Sequence, residues 1–146
     1  MKKTIFVMGM LLTIGMTQAF ANDKINEAIT NSFKQEFLNA QNVQWQSQDH
    51  YVKATFDMDG QVMFAFYSKD AQLLGVVRNI LSDKLPINLL TSIKKDYNDY
   101  WISDLFELAS GGQSSYYITL ESGEEQLVLK SDGTSDWAIY KRTKKS

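Results

Sequence analysis

Apolar residues recur every fourth position through Ile25, Ile29, Phe33 and Phe37, with Lys24, Lys34 and Glu36 between them. That spacing predicts an amphipathic helix with one buried stripe, capped by Asn22 or Asp23. From Val43 the period shortens to two. After a short opening strand at 43–46, Val52, Ala54 and Phe56 alternate with Tyr51, Lys53 and Thr55. Asp59-Gly60 is a favoured hairpin pair, and Val62, Phe64 and Phe66 then alternate with Met63, Ala65 and Tyr67. A turn at Lys69-Asp70 leads into a fourth strand, Leu73 to Leu81.

The same order then begins again. Leu85, Leu89, Ile93 and Tyr97 form a second four-residue stripe, with Ser82 or Asp83 as cap and Pro86 in the first turn. Strand-like runs follow at Trp101–Leu108, Ser115–Glu121, Gln126–Lys130 and Asp136–Arg142, separated by Gly111-Gly112, Ser122-Gly123 and Asp132-Gly133. The two helical stripes are offset by a constant 60 residues, and Ser68-Lys69-Asp70-Ala71 runs parallel to Lys130-Ser131-Asp132-Gly133. The expected fold is therefore α+β: a tandem helix-plus-four-strand repeat, halves 22–81 and 82–146. Two helices would pack on one face of an antiparallel sheet.

The first 21 residues read differently. Lys2 and Lys3 precede an uncharged run from Thr4 to Met16, and Ala19-Phe20-Ala21 supplies a small-residue cleavage site before Asn22. This is the pattern of a signal peptide, too short for a membrane anchor. Its removal leaves 125 residues, 22–146, as a single exported domain, periplasmic or secreted, with no stable membrane anchor. It also takes two lysines and no acid from the formal charge of −2, leaving −4. An acidic chain lacks the broad basic surface that nucleic acid requires. Lys141, Arg142, Lys144 and Lys145 read as a solvated chain end.

The residue inventory narrows the chemistry. With no cysteine there is no disulfide, thiol nucleophile or thiolate metal site, and one histidine cannot supply a two-imidazole centre. His50 reads as a turn residue, and Ser110 before Gly111-Gly112 lacks a nucleophile-elbow context. Asp57-Met58-Asp59-Gly60 fails the calcium-loop pattern, because Thr55 and Phe66 fall where acids are required. Glu121, Glu124, Glu125 and Asp132 read as solvated turn charges. No catalytic residue, cofactor site or metal site is expected, and the chain is read as non-enzymatic.

The Leu85–Tyr97 stretch, L-P-x-x-L-x-x-x-I-x-x-x-Y, joins L-V-L-K-S-D-G at Leu127–Gly133 and F-A-F-Y-S-K-D-A at Phe64–Ala71. On these residues the chain resembles the PepSY-like, β-lactamase-inhibitor-like family of exported bacterial proteins. The resemblance spans the mature chain and implies a tandem helix-plus-four-strand architecture. It also implies a non-enzymatic protein that grips an exported partner with its sheet. The absence of cysteines departs from the inhibitor itself, so no target and no inhibitory residue is carried over.

The remaining signal is aromatic. If Val52, Ala54, Phe56, Val62, Phe64 and Phe66 face the helix, the open face carries Tyr51, Met63 and Tyr67, joined by Tyr117 when Tyr116, Ile118 and Leu120 point inward. Ringed by Lys53 and Glu121, these four residues are the expected contacts for an exported protein partner. Trp45, Trp101 and Trp137 are expected in the packing between sheet and helix. The second functional expectation is a small-ligand or envelope-stress sensor with a pocket between helix and sheet.

Overall fold

The computed structural model describes residues 24–146; the expected leader, 1–21, lies outside the described residues. Helix α1 (Glu27–Glu36) is followed by β1 (Gln41–Ser47), β2 (Val52–Met58), β3 (Gln61–Tyr67) and β4 (Leu73–Asn79). A 3-10 turn (Ser82–Lys84) and helix α2 (Ile87–Asp96) lead to β5 (Trp101–Ser110), β6 (Gln113–Glu121), β7 (Glu125–Ser131) and β8 (Ala138–Lys144). The strands form an eight-stranded open sheet in chain order, with antiparallel hairpin pairing, so the fold class is α+β as expected. The chain divides into two compact units, one ending at Val77 and the other spanning Arg78–Ser146.

In the first unit the helix starts later than expected. Asn26, not Asn22 or Asp23, is the cap: its Oδ1 accepts from the Ala28 N–H at 2.9 Å. Ile29 and Phe33 are buried on the stripe read from the sequence, against Val52, Ala54, Phe56, Ala65 and Tyr67. Phe33 lies 5.0–5.2 Å from the rings of Phe37, Trp45 and Phe56, a tilted and edge-on aromatic cluster.

One expectation about this core is overturned. Val62, Phe64 and Phe66 do not face α1; Met63, Ala65 and Tyr67 do. The cause is the two-residue turn, with Asp59 at φ 54° and Gly60 at φ 77°. Such a turn sets Met58 opposite Gln61, and directly opposed residues share a face. Phe56 is thus paired with Met63, Ala54 with Ala65 and Val52 with Tyr67. Even-numbered inward positions on β2 require odd-numbered ones on β3. Tyr67 suits the inner position because its hydroxyl donates to Glu36 Oε1 at the end of α1, 3.0 Å away.

In the second unit α2 begins at Pro86 as N-cap, with Ser82 and Asp83 taken up in the preceding 3-10 turn. Proline forces the residue before it out of helical conformation, and Leu85 is accordingly extended (φ −70°, ψ 150°), so the helix cannot start at the expected cap. Leu89 and Ile93 pack with Leu85, Leu105, Ile118, Leu120, Leu127 and Leu129. Trp137 closes the layer, its Nε1 donating to the Leu89 carbonyl at 3.0 Å. Gly133 at φ 91° turns the chain where an added Cβ would stand 3.3 Å from the Tyr116 ring.

Candidate functional site

Each unit has a strand face turned away from its helix, and hairpin register determines what that face carries. In the first unit Gln46, Lys53 and Phe66 lie side by side across β1, β2 and β3, and Asp57 stands opposite Val62. Tyr51, just before β2, packs on Phe66 with ring centroids 5.6 Å apart. Phe66 is fully buried and Tyr51 nearly so. Lys53 was expected on an open rim, yet it is only 5% exposed. Its Nζ sits 5.7 Å from the centroid of the Phe64 ring. Burial alone lowers its pKa from the ordinary lysine value, with no neighbouring charge contributing. Beside it, Gln46 Oε1 is buried without a hydrogen-bond partner.

In the second unit Phe106, Tyr117 and Lys130 stand in register across β5, β6 and β7. Phe106 stacks on Tyr117 at 5.0 Å and 15°, and Tyr140 meets Tyr117 edge-on at 6.1 Å. Lys130 Nζ lies 5.8 Å from the Tyr117 ring. The Tyr117 hydroxyl is buried with no partner, and burial, helped by Tyr140, pushes its pKa up. Further along this face Trp101 is 54% exposed, with Lys145 Nζ 4.8 Å from its ring and paired to Glu121 at 3.2 Å. Hydrogen bonds from Ser103 and Lys145 hold the Glu121 carboxyl below its usual pKa.

The four expected contact residues therefore do not share one face. Tyr51 and Tyr117 lie on the side away from their helices, but buried rather than displayed. Met63 and Tyr67 lie on the helix side, by the register argument above. Trp45 and Trp137 pack against helices as expected, whereas Trp101 is exposed. Phe66, Phe106 and Tyr140 were not anticipated; for Phe66 the parity of the Asp59-Gly60 hairpin was the available signal.

The other candidates resolve locally. His50 is exposed in the bend between β1 and β2. Asp57 accepts from Asn42 Nδ2 at 2.8 Å beside a bulge in β1, which accounts for its place at the hairpin. Glu125 accepts from the Tyr100 hydroxyl and approaches Arg142 at 3.4 Å. Asp132 accepts from the Thr134 and Ser135 N–H groups, which lower its pKa. The basic C-terminus is not a loose end: Lys141, Arg142 and Lys144 belong to β8, and the Lys145 N–H donates to the Glu124 carbonyl. Among the described residues no three histidine or acidic side chains are grouped as a metal site, and no helix is long and apolar enough to cross a membrane. A cleft of about 480 Å³ opens beside α1 and β1, lined mainly by Phe33, Phe37, Leu38, Val43 and Trp45.

No protein-family model matches the chain, and no curated protein matches its sequence. Solved structures do share its fold. A BLIP-like protein from Bacteroides fragilis NCTC 9343 superposes with TM-score 0.70 at 20% identity, covering 84% of this chain and 87% of that one. A DUF2874 family protein from Bacteroides uniformis ATCC 8492 gives TM-score 0.72 at 14% identity, over 82% and 88%. A protein of Bacteroides eggerthii DSM 20697 predicted to be periplasmic gives 0.73 at 12%, over 84% and 90%. At these identities the likeness is one of fold.

Proposed function

We propose that this is an exported, non-catalytic binding module of the BLIP-like fold that engages a protein partner through the strand face turned away from the helices. The narrower PepSY-like assignment belongs to this proposal and rests on the Leu85–Tyr97 and Leu127–Gly133 stretches. The observation that carries the reading is the exposure of Trp101 and of Tyr140, the latter edge-on against Tyr117, whose ring stacks on Phe106. The outer face of an antiparallel sheet is ordinarily polar where water covers it. Exposed aromatic side chains are what protein interfaces favour at their centres. Trp101 and Tyr140, each more than a third exposed, would make first contact. The signal-peptide pattern and the fold shared with a protein predicted to be periplasmic support a periplasmic location.

The test is affinity capture from the cell envelope of the source organism, followed by reconstitution with the purified candidate partner. A Trp101→Ala/Tyr140→Ala variant with unchanged circular dichroism should bind at least about tenfold more weakly. Ile87→Ala, at an exposed position of α2, should bind as the parent does. Equal affinity for parent and double variant would refute the reading.

The second reading, a small-ligand or stress-sensing protein, is favoured by the aromatic cleft beside α1. It predicts an apolar ligand that raises the melting temperature and changes Trp45 fluorescence. A screen of apolar compounds that leaves both unchanged would count against it.

A further inference from the structure

We infer that the cleft between α1 and β1 binds a small apolar monocarboxylate, its hydrocarbon body among the aromatic rings and its carboxylate at Lys34. The inference rests on the second reading above, a small-ligand protein, and names the class of ligand. The cleft holds about 480 Å³, within the range of small-molecule sites, roughly 300–1,000 Å³. Along it Phe33 packs against Phe37 at 5.1 Å, tilted, and against Trp45 at 5.2 Å, edge-on. Walls of this kind hold hydrocarbon by removing it from water. Only two polar side chains join the lining among the described residues, Thr30 and Lys34. Thr30 spends its hydroxyl proton on the Glu27 carbonyl, 3.1 Å away. Lys34, exposed in the last turn of α1, carries the one charge, and no acid lines the cleft among the described residues. An apolar cleft with a single cation at its rim is complementary to an anion with an apolar body.

The second unit shows why this space is open. Ala40 and Tyr100 stand at equivalent places. Each follows its helix cap, Phe37 or Tyr97, by three residues and immediately precedes a strand. Each donates its N–H to the carbonyl of that cap, at 3.2 Å and 3.1 Å. Tyr100 sets its ring edge-on against Tyr97, centroids 5.8 Å apart, and its hydroxyl reaches Glu125. Ala40 has only a methyl group to offer there, and it lines the cleft. The first unit thus forgoes burial that the second obtains from its own chain, and a ligand's hydrocarbon restores it.

The test titrates the purified protein with sodium octanoate and with octan-1-ol, which share a tail and differ in charge, while the indole N–H signal of Trp45 is followed by NMR. Both should shift it. Lys34→Met should weaken octanoate about fivefold, the scale of a partly exposed ion pair, and leave octanol unchanged. Ala40→Tyr, which builds the ring the second unit carries, should weaken both at least about tenfold. Should that variant fail to fold, Lys34→Met, at an exposed position, still decides the matter. Octanoate bound equally by the parent and Lys34→Met overturns the carboxylate assignment and, with octanol still bound, leaves the ligand reading standing. Sodium acetate matching octanoate also overturns it, because the tail then contributes nothing. So does tighter binding of the blocked tripeptide acetyl-Leu-Glu-Leu-amide, which would make the cleft a protein contact. No shift with either eight-carbon probe, or binding indifferent to a folded Ala40→Tyr, overturns the inference and the ligand reading together.

Discussion

The helix side and the far side of the strands treat their polar atoms in opposite ways. On the helix side three polar tips end on partners: Tyr67 on Glu36, Trp137 on the Leu89 carbonyl, Tyr100 on Glu125. On the far side Gln46 Oε1 and the Tyr117 hydroxyl are buried without hydrogen bonds, and the Lys53 ammonium lies against the Phe64 ring. Folding alone favours the first arrangement, because a buried group without a partner costs about 1–3 kcal/mol. The contrast teaches that the helix side is built for stability. The far side retains costly groups that something other than folding must explain.

The largest effect should come from emptying the helix side. Phe33→Ala removes a ring packed on three others and should cost about 3–5 kcal/mol, read as a lowered denaturation midpoint. A loss below about 1 kcal/mol would break the contrast at its stronger end.

Lys53→Met should do the reverse and stabilise the protein by up to about 1 kcal/mol at neutral pH. The pH dependence has a definite sign. The folded-state pKa of Lys53 is lowered, so between that value and the unfolded value near 10.5 the unfolded chain binds more protons, and parent stability rises with pH. The advantage of the variant is therefore complete below the folded pKa and shrinks as pH approaches 10.5. Paired melting curves from neutral to alkaline pH measure this difference directly. An advantage that does not vary with pH would assign it to packing rather than charge.

The finest test is a pair of hydroxyl deletions. Tyr67→Phe breaks the bond to Glu36 and should destabilise by about 1 kcal/mol. Tyr117→Phe removes a hydroxyl with no partner and should leave stability unchanged or raise it by about 1 kcal/mol. Changes of the same sign in urea titrations would erase the distinction between the two sides.

Much of this architecture was legible in the sequence. The four-residue stripes of Ile29, Phe33, Leu89 and Ile93 gave the buried helix faces, and the glycine turns gave the hairpins, because both signals are local. The far side was harder to read. Val62, Phe64 and Phe66 are more apolar than Met63, Ala65 and Tyr67, so composition chose the wrong face of β3, while turn geometry would have chosen the right one. The burial of Lys53 and the isolation of the Tyr117 hydroxyl depend on which strands lie side by side and what covers them. No period or motif within a strand encodes that. Trp101 was misjudged for a related reason: the bulge between Ile102 and Asp104 interrupts the alternation that inward-facing residues follow.

The final strand has a consequence of another kind. An open sheet ends in two unsatisfied edges, each able to accept a strand from a neighbouring molecule. β8 is such an edge, exposed along its length and carrying Lys141, Arg142 and Lys144. Two copies meeting there would bring cation against cation. The charges along β8 would thus oppose fibrous self-association at this edge of a chain that has no cysteine to cross-link it.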